Sequence, residues 1–305
     1  FEPALLAPRI APAIRAQTPR DFLLTEILRL DTREAKNDKG FAKALAELGD
    51  ISVNDCFANS HRAHASMDAI TEYLPHAAGP LLVKEVETLG AALHNLARPT
   101  AAIIGGSKVS TKLSLIENLL DKIDVLFIGG AMANTFLMAE GIDVQKSLIE
   151  PDLIPAASQI LAQAHGHNCQ LLLPHDAIVA ASPDCEGVAA PCLHIPSGMM
   201  ILDIGPATVM RLDALIRDCR TVLWNGPVGM FEKPAFAGGT LAIAKLVAER
   251  TRSGQMQSIA GGGDTVAAIQ QAGVLNDLTY VSTAGGAFLE FLEGKELPGI
   301  KALMR

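Results

Sequence analysis

Short apolar runs that end at glycine or proline recur from about residue 100 onward. They are Ala101–Ile104, Val125–Ile128, Leu171–Leu173, Ile201–Ile204, Val222–Asn225, Ser258–Ala260 and Tyr280–Ser282. Continuous apolar runs of this length are typical of strands that are buried on both faces. Helical patterns such as Leu113–Lys122 and Leu241–Glu249 separate several of them. Strands that alternate with helices predict βαβ units and a parallel sheet.

Glycine-containing turns follow most of these predicted strands. In parallel sheets, ligands bind outside the carboxyl ends of the strands. We therefore expect the turns at residues 105, 129, 226, 261 and 284 to lie along one edge and to converge on one cleft. Other turns, such as Ile204-Gly205-Pro206, have a simpler alternative role, which is to close the chain tightly.

The turn Gly261-Gly-Gly-Asp-Thr265 precedes a helical pattern and is a candidate anion site. The first N–H groups of a helix are free to bind a phosphate. Asp264 would repel that phosphate unless a divalent cation lay between them, and Mg²⁺ is typically held by one or two carboxylates together with phosphate oxygens. The alternative is a glycine-rich turn in which Asp264 is the N-cap. The turn alone does not decide between these two interpretations.

Two lysines, Lys108 and Lys112, follow the glycines of Gly105-Gly-Ser-Lys-Val-Ser-Thr-Lys112. Residues four apart share one face of a helix, and cations at a helix N-terminus oppose its dipole. Anionic phosphates would explain them, and the alternative is a pair of solvated surface lysines. The spacing matches neither a Walker A loop nor a dinucleotide fingerprint.

A rigid turn, Trp224-Asn-Gly-Pro-Val-Gly-Met-Phe-Glu232, follows another predicted strand. Asn225 could hydrogen-bond a phosphate, and Glu232 could bind the paired hydroxyls of a ribose. The alternatives are a turn former for Asn225 and a solvated charge for Glu232.

The first 76 residues or so differ in pattern from the rest. A helix is predicted from Phe41 to Leu48, a strand over Ile51–Phe57, and a long amphipathic helix over Leu81–Leu96 that would connect two domains. The cationic residues Arg29, His61, Arg62 and His64 form a candidate anion cluster. No cysteine or acidic residue accompanies the histidines at metal spacing, so zinc is not expected, and a core or helix-cap role is the default for each histidine.

Composition narrows the range of functions. A chain of 305 residues favours two domains, and a net charge of −8 without a basic tract argues against a nucleic-acid partner. The apolar runs are too short to span a membrane, and no signal peptide is expected. Five cysteines without C-x-x-C spacing predict free thiols in a reducing cytoplasm. No nucleophile motif stands out, which suits phosphoryl transfer, since that reaction depends mainly on positioning and charge neutralisation.

Six segments of the chain resemble phosphoglycerate kinase of the bacterial type, in the order of that family. They are Asn54–Ser66, Gly105–Lys112, Gly130–Phe136, Trp224–Glu232, Gly261–Thr265 and Ser282–Glu290. The resemblance implies an α/β fold of two Rossmann-like parallel-sheet domains joined by a hinge helix. The expected parts are a partial N-terminal 3-phosphoglycerate domain (1–80), an interdomain helix (81–97), a nucleotide-binding domain (98–291) and a tail that returns toward the N-terminal domain (292–305).

The resemblance also implies an activity. It is the reversible transfer of a phosphoryl group from 1,3-bisphosphoglycerate to ADP, which gives 3-phosphoglycerate and ATP in glycolysis. Mg²⁺ would accompany the nucleotide as Mg-ADP or Mg-ATP. The enzyme would act in the cytoplasm as a monomer, without a nucleic-acid or membrane partner.

Residue roles follow from the same resemblance. Lys108 and the backbone at Gly285 would act on the transferring phosphoryl group, Asp264 would hold Mg²⁺, and Arg29 and Arg62 would bind the acid substrate. The nucleotide would be bound by Gly105, Lys112, Gly129, Gly130, Asn225, Pro227, Glu232, Gly262, Gly263, Asp264 and Thr265.

The N-terminal part departs from the family pattern. The family's opening Asp-Phe-Asn strand and its later Ser-His-Leu-Gly-Arg-Pro motif are not found, and Glu26-Ile-Leu-Arg29-Leu30 matches the family's Leu-Glu-Asn-x-Arg-Phe segment only in part. From these departures we expect severely impaired catalysis by these 305 residues, with a nucleotide-binding remnant as the alternative function. A Rossmann-type oxidoreductase is the rival class, and its G-x-G-x-x-G fingerprint is missing.

Overall fold

A computed structural model describes residues 28–94 and 96–305 of the protein. The strands are β1 (Ser52–Asn54), β2 (His76–Ala78), β3 (Thr100–Ile104), β4 (Val125–Ile128), β5 (Gln170–Leu172), β6 (Asp176–Ala180), β7 (Val188–Pro191), β8 (Met200–Ile204), β9 (Thr221–Asn225), β10 (Gln257–Gly261) and β11 (Tyr280–Ser282). The α-helices are α1 (Thr32–Ala35), α2 (Lys39–Ala46), α3 (Pro80–His94), α4 (Leu113–Leu119), α5 (Met132–Ala139), α6 (Ile154–Gly166), α7 (Pro206–Asp218), α8 (Gly238–Arg252), α9 (Gly263–Gln271), α10 (Gly286–Leu292) and α11 (Pro298–Lys301).

The described chain divides into two compact units, and the boundary falls within α3. The first unit contains the described residues up to Gly90 together with Lys295–Arg305, and the second contains Ala91–Gly294. In the first unit β1 and β2 pair in parallel. The backbone N–H of Gly299 donates to the carbonyl of Ser60 at 2.8 Å, so the C-terminal segment belongs to this unit's packing.

The second unit is built on a six-stranded sheet in the order β11-β10-β9-β3-β4-β5, in which every neighbouring pair is parallel. Every residue of the central strands β3 and β9 is buried. Helices cover both faces of such a sheet, which is why its strands are continuous apolar runs. The predicted α/β fold with a parallel sheet is confirmed.

The strand register brings the ends of five strands to the same level. Asn225 at the end of β9 pairs with Ile104 of β3 on one side and with Gly261 of β10 on the other. Ile104 in turn pairs with Ile128 of β4, and Gly261 pairs with Ser282 of β11. The turns that follow these five strands therefore leave one edge of the sheet side by side, as the glycine pattern predicts.

The run Ile201–Ile204 does not join this parallel sheet. It forms β8, which pairs antiparallel with β6 in a separate three-stranded sheet of order β7-β6-β8. This small sheet has its own apolar cluster, which includes Val144, Val179 and Ile195. β6 contains half-buried and buried positions, and three of the four residues of β7 are exposed, so neither strand is fully buried like β3 and β9.

Among the described residues, no helix combines the length and the apolar character that a membrane crossing requires. All five cysteines are free thiols, and Cys169, Cys192 and Cys219 are buried. Burial raises the pKa of Cys169 and Cys219 to about 11 and that of Cys192 to about 12, so these three are unreactive core residues.

Candidate functional site

The turns after β3 and β9 pack backbone against backbone. The N–H of Gly105 donates to the carbonyl of Asn225 at 2.8 Å, and the N–H of Gly106 donates to the carbonyl of Pro227 at 2.9 Å. A Cβ on Gly105 would overlap the carbonyl oxygen of Pro227. A Cβ on Gly226, whose φ is +95°, would overlap the carbonyl oxygen of Gly105. Glycine is required at both positions because the backbones of the two turns approach so closely.

The turn after β4 joins the same arrangement. The N–H of Gly130 donates to the carbonyl of Val228 at 3.0 Å. Gly130 has a φ of +69°, and a Cβ there would lie 2.5 Å from the carbonyl oxygen of Gly106. A Cβ on Gly129 would lie 2.6 Å from the Val228 side chain. Three glycine turns thus form one continuous backbone surface.

A cavity of about 290 Å³ opens against this surface. Its wall includes Gly106 and Ser107, Gly130 and Ala131, the segment from Pro227 to Met230, Glu232, Asp264, the β8 residues from Met200 to Ile204, and Asn134 of α5. A cavity with mostly apolar walls and a few convergent polar groups is typical of a small-molecule site. The turn after β11 lies at the same edge of the sheet, and none of its residues lines the cavity.

The turn Gly261–Thr265 connects β10 to α9. Gly262, at φ +100°, is the N-cap, and Asp264 is the second residue of the helix, so the alternative in which Asp264 caps the helix is wrong. The hydroxyl of Thr265 accepts a hydrogen bond from the N–H of Gly226 at 2.7 Å, which fixes this turn to the one after β9. Asp264 itself is exposed, and its carboxylate accepts no hydrogen bond from the described residues. The carboxylate is free to meet a ligand.

Lys112 is turned toward this site. Its Nζ donates to the side-chain oxygen of Asn225, whose amide nitrogen donates to the carbonyl of Gly261 at 2.7 Å. Burial lowers the pKa of Lys112 to about 8, although the nearby carboxylates of Glu293 and Asp264 act to raise it. An additional negative charge close to Nζ would favour the charged lysine.

Lys108 is exposed and precedes a 3₁₀ turn at Val109–Thr111, while α4 begins only at Leu113. The prediction that the two lysines share one α-helical face is therefore wrong. The segment is anchored by Ser110, whose hydroxyl donates to Glu150 at 2.6 Å. Burial acts to raise the pKa of Glu150, but Ser110, Val109 and Lys108 together hold it below its usual value.

Gly285 follows β11 with a φ of +51° and is the N-cap of α10. The hydroxyl of Ser282 accepts from the N–H of Ala284 at 3.2 Å, which shapes the turn. Thr283 of this turn and Gly286, the first residue of α10, are exposed at the edge of the sheet.

In the first unit the predicted cationic residues lie close together. Arg29 donates to the side-chain oxygen of Asn59, and the Nε of Arg62 donates to Nε2 of His61 at 3.1 Å. Burial lowers the pKa of His64; Glu34 opposes this effect, while Arg29 and Arg62 reinforce it. His64 is a buried structural residue, and its Nδ1 lies 3.7 Å from Oε1 of Glu34. Arg29 and Arg62 are both exposed and available to an anion.

Asp203 of β8 is a buried carboxylate in the cavity wall that belongs to none of the predicted site motifs. It is 2% exposed and accepts from the N–H of Gly239, at the start of α8, at 2.7 Å. A Cβ on Gly229 would overlap it, so the turn after β9 rests directly on this side chain. Burial raises its pKa to about 7, against the opposing effect of the N–H groups of Gly239 and Ile204. A charged residue inside the apolar run Ile201–Ile204 is the signal that could have identified it.

The variant Asp203→Asn should change how stability depends on pH. The pKa of Asp203 is about 7 in the folded protein and has its ordinary value of 3.8 in the unfolded chain, so the folded protein binds the carboxyl proton more tightly. The stability that this proton contributes is therefore full below pH 4 and is lost as the pH rises to about 7. The free energy of unfolding of the variant relative to wild type should therefore rise between pH 4 and pH 8 by a few kcal/mol, about 4 at most. Denaturant titrations over that range measure it.

Asp176→Asn is the matched control for this variant. The Asp176 carboxylate likewise accepts from N–H groups at a helix start, those of Ala207 at 3.0 Å and Thr208 at 2.7 Å, and it does not line the cavity. The free energy of unfolding of Asp176→Asn therefore shows how much stability is lost when only a carboxylate at a helix start is changed. Parallel pH curves for wild type and Asp203→Asn would contradict the role of Asp203.

Known proteins match this chain over most of its length. The sequence profile of the phosphoglycerate kinase family matches residues 1–295. Phosphoglycerate kinase of Methylorubrum extorquens (strain PA1) is 52% identical over 295 residues, which are 96% of this chain and 74% of that protein. The enzyme of Chloroflexus aurantiacus (strain ATCC 29366 / DSM 635 / J-10-fl) is 48% identical over 302 residues, which are 98% of this chain and 75% of that protein.

Solved structures agree with the sequence matches. Phosphoglycerate kinase from Coxiella burnetii has a TM-score of 0.84 and 47% identity, covering 91% of this chain and 71% of that one. The kinase from Pyrococcus horikoshii OT3 has a TM-score of 0.79 and 31% identity with the same coverage. These matches do not favour the alternative of a catalytically impaired remnant. The chain belongs to the phosphoglycerate kinase family and is a phosphotransferase of glycolysis, as its motifs predict.

Proposed function

We propose that the cavity at the carboxyl edge of β3, β4 and β9 binds the nucleoside of ADP or ATP. The observation that carries this proposal is the continuous glycine surface, which lets a flat ring approach bare backbone at Gly106 and Gly130. The predicted residues Gly105 and Gly129 support that surface from behind. Pro227 and Glu232 line the same cavity, and the exposed carboxylate of Glu232 suits a pair of ribose hydroxyls.

The nucleotide phosphates would lie at the start of α9. Free N–H groups from Gly262 to Thr265 and the positive end of the helix dipole favour an anion there. Lys112 reaches the same region, since its Nζ contacts Asn225 and Asn225 contacts the carbonyl of Gly261. Asn225 therefore holds Lys112 in place, in addition to the phosphate contact that its motif predicts.

Asp264 would hold Mg²⁺ together with phosphate oxygens of the nucleotide. No group of three His, Cys, Asp or Glu side chains that could hold a metal ion occurs among residues 28–94 and 96–305. A single free carboxylate fits Mg²⁺, which commonly binds one or two carboxylates plus substrate phosphates. When bound, Mg²⁺ would neutralise charge on the phosphates.

The phosphoryl-transfer step needs positive charge and N–H donors near the migrating group. Lys108, exposed beside the glycine turn, would neutralise the phosphoryl group during transfer, and the backbone at Gly285 would donate to its oxygens. In the first unit Arg29 and Arg62 would bind the carboxylate and phosphate of 3-phosphoglycerate or 1,3-bisphosphoglycerate.

Free cysteines support a reducing cytoplasm as the place of action, and we propose that the enzyme acts there as a monomer. Gel filtration with light scattering measures the oligomeric state.

The direct test is steady-state turnover by the purified chain. With 3-phosphoglycerate, ATP and Mg²⁺ we expect ADP to form at a rate that requires all three. Removal of Mg²⁺ with EDTA should abolish turnover, because the phosphate charge is then left unneutralised. ADP formation by folded protein that does not respond to 3-phosphoglycerate, or turnover that persists in EDTA, would contradict the proposed function.

A further inference from the structure

Glu150 holds the turn beside Lys108 from a distant part of the chain. The hydroxyl of Ser110 donates to Oε1 of Glu150 at 2.6 Å, and the backbone N–H of Ser110 donates to Oε2 at 3.1 Å. Both carboxylate oxygens are therefore bonded to a residue that lies only two positions from Lys108. Hydrogen bonds to a charged acceptor are stronger than those between neutral groups, so this attachment is firm.

Glu150 is itself fixed to the body of the same unit. Its backbone N–H donates to the hydroxyl of Thr135, a buried residue of α5, at 3.1 Å. Three residues before Glu150, the hydroxyl of Ser147 accepts from the N–H of Ile201 of β8 at 2.9 Å. The carboxylate therefore has a rigid support, and Ser110 is bonded to that support.

The backbone around Lys108 has few other attachments. Its carbonyl accepts from the hydroxyl of Thr111 at 2.9 Å, which is a bond within the same turn. Val109 is fully buried and holds the turn by packing. Among the described residues, all hydrogen bonds that join residues 107–111 to distant parts of the chain go to Glu150. The orientation in which the turn presents Lys108 therefore depends on this carboxylate.

We propose that Glu150 is a positioning residue for phosphoryl transfer, which holds the turn at Val109–Thr111 so that Lys108 meets the transferring group. This inference rests on the proposed function, in which Lys108 neutralises that group. A displacement of about 1 Å can cost about 10²-fold in rate, so bonds that fix a backbone can have a large effect on kcat. Nucleotide binding should depend little on Glu150, because Lys112 has separate support at Asn225.

The test compares Glu150→Ala with Glu150→Gln. Alanine removes both bonds to Ser110 and should lower kcat about tenfold or more, while the affinity for Mg-ADP stays within about threefold of wild type. Glutamine can keep both bonds, since its oxygen accepts from the N–H of Ser110 and its amide nitrogen donates to the hydroxyl. The kcat of Glu150→Gln should therefore stay within about threefold of wild type. Steady-state kinetics and calorimetric titration of Mg-ADP measure these quantities.

A double variant shows whether Glu150 acts through Lys108. Once the Lys108 side chain is removed, loss of Glu150 has no ammonium group left to misplace. The kcat of Lys108→Ala/Glu150→Ala should therefore equal that of Lys108→Ala alone. If the two single losses instead multiplied in the double variant, Glu150 would act independently of Lys108, and the inference would be overturned.

Asp143→Ala is the matched control. Asp143 is an exposed carboxylate in the same connection between α5 and α6, and it accepts from the backbone N–H of Gln145 at 2.9 Å and from its side-chain amide at 2.8 Å. These bonds stay within the connection and do not reach the turn beside Lys108. Removal of Asp143 takes away the same charge and should leave kcat unchanged. An equal loss of kcat in Asp143→Ala and Glu150→Ala would contradict a specific role for Glu150.

The remaining outcomes separate this inference from the proposed function. A wild-type kcat in Glu150→Ala, or equal impairment of Glu150→Ala and Glu150→Gln, would overturn the inference and leave the role of Lys108 intact. A loss of Mg-ADP affinity as large as the loss of kcat would also overturn it. If Glu150→Ala does not fold, Glu150→Met, which keeps the side-chain length without the acceptors, takes its place. A wild-type kcat in Lys108→Ala would remove the proposed role of Lys108, and the inference with it.

Discussion

Replacement of Lys108 with alanine should lower kcat for phosphoryl transfer about 10²- to 10³-fold, which is typical for the loss of one group that stabilises charge in a transition state. Lys108 is exposed, and the position of its backbone depends on its neighbours: Val109 is fully buried, and Ser110 is bonded to Glu150. The free energy of unfolding should therefore stay near the wild-type value. Steady-state kinetics and thermal unfolding measure the two quantities.

Lys245→Ala provides the control for this prediction. Lys245 is an exposed lysine of the same unit, in the middle of α8, and it does not line the cavity. Its removal changes the net charge by the same amount and should leave kcat unchanged. If Lys108→Ala kept a kcat within about threefold of wild type, the proposed role in phosphoryl transfer would be lost.

The two lysines are distinguished by their surroundings in the structure. Lys112 is half-buried against Asn225, which lies 113 positions away in the chain, whereas Lys108 is open to solvent. Burial lowers the pKa of Lys112 to about 8, and a bound phosphate would raise that pKa by favouring the charged form. Lys112 therefore suits static binding of the nucleotide, and Lys108 suits contact with a group that moves.

The parallel sheet and the turns at its carboxyl edge could be predicted from the sequence because both depend on local patterns. Continuous apolar runs identify strands buried on both faces, and the glycines that follow most of the runs identify the carboxyl edge of the sheet. The strand Val125–Ile128 is observed at its predicted residues. The close backbone packing of the glycine turns could also be expected, since only glycine allows the backbone approach seen at Gly105 and Gly226.

Other features could not be predicted because they depend on contacts distant in sequence. In the small sheet β7-β6-β8, the run Ile201–Ile204 is predicted as a strand, but its antiparallel pairing with β6 and the packing around Val179 and Ile195 join segments that no local pattern connects. The 3₁₀ turn at Val109–Thr111 follows from the bonds of Ser110 to Glu150, 40 residues further along. The Oδ1 of Asn134 has no hydrogen-bond partner among the described residues, and this depends on its surroundings in three dimensions, which no local pattern shows.

Substitution of Asp264 with asparagine should affect nucleotide binding in opposite directions with and without Mg²⁺. In the presence of Mg²⁺ the affinity for ADP should fall about tenfold or more, because a charged metal ligand is lost. In EDTA the affinity for ADP should rise, because Asp264 then repels the phosphates at the start of α9. Calorimetric titration of ADP under both conditions measures the two affinities.

The fold should tolerate this change. Asp264 is exposed, and its carboxylate accepts no hydrogen bond from the described residues, so the main loss is its favourable interaction with the helix dipole, worth about 0.3–1 kcal/mol. Asp152→Asn, at an exposed carboxylate in the turn before α6, should leave both affinities unchanged and controls for net charge. A uniform decrease in affinity under both conditions would mean that Asp264 supports the shape of the turn and does not bind the metal. The reversal of sign between Mg²⁺ and EDTA is therefore the result that identifies Asp264 as the metal ligand, since neither a structural role nor a general charge effect predicts it.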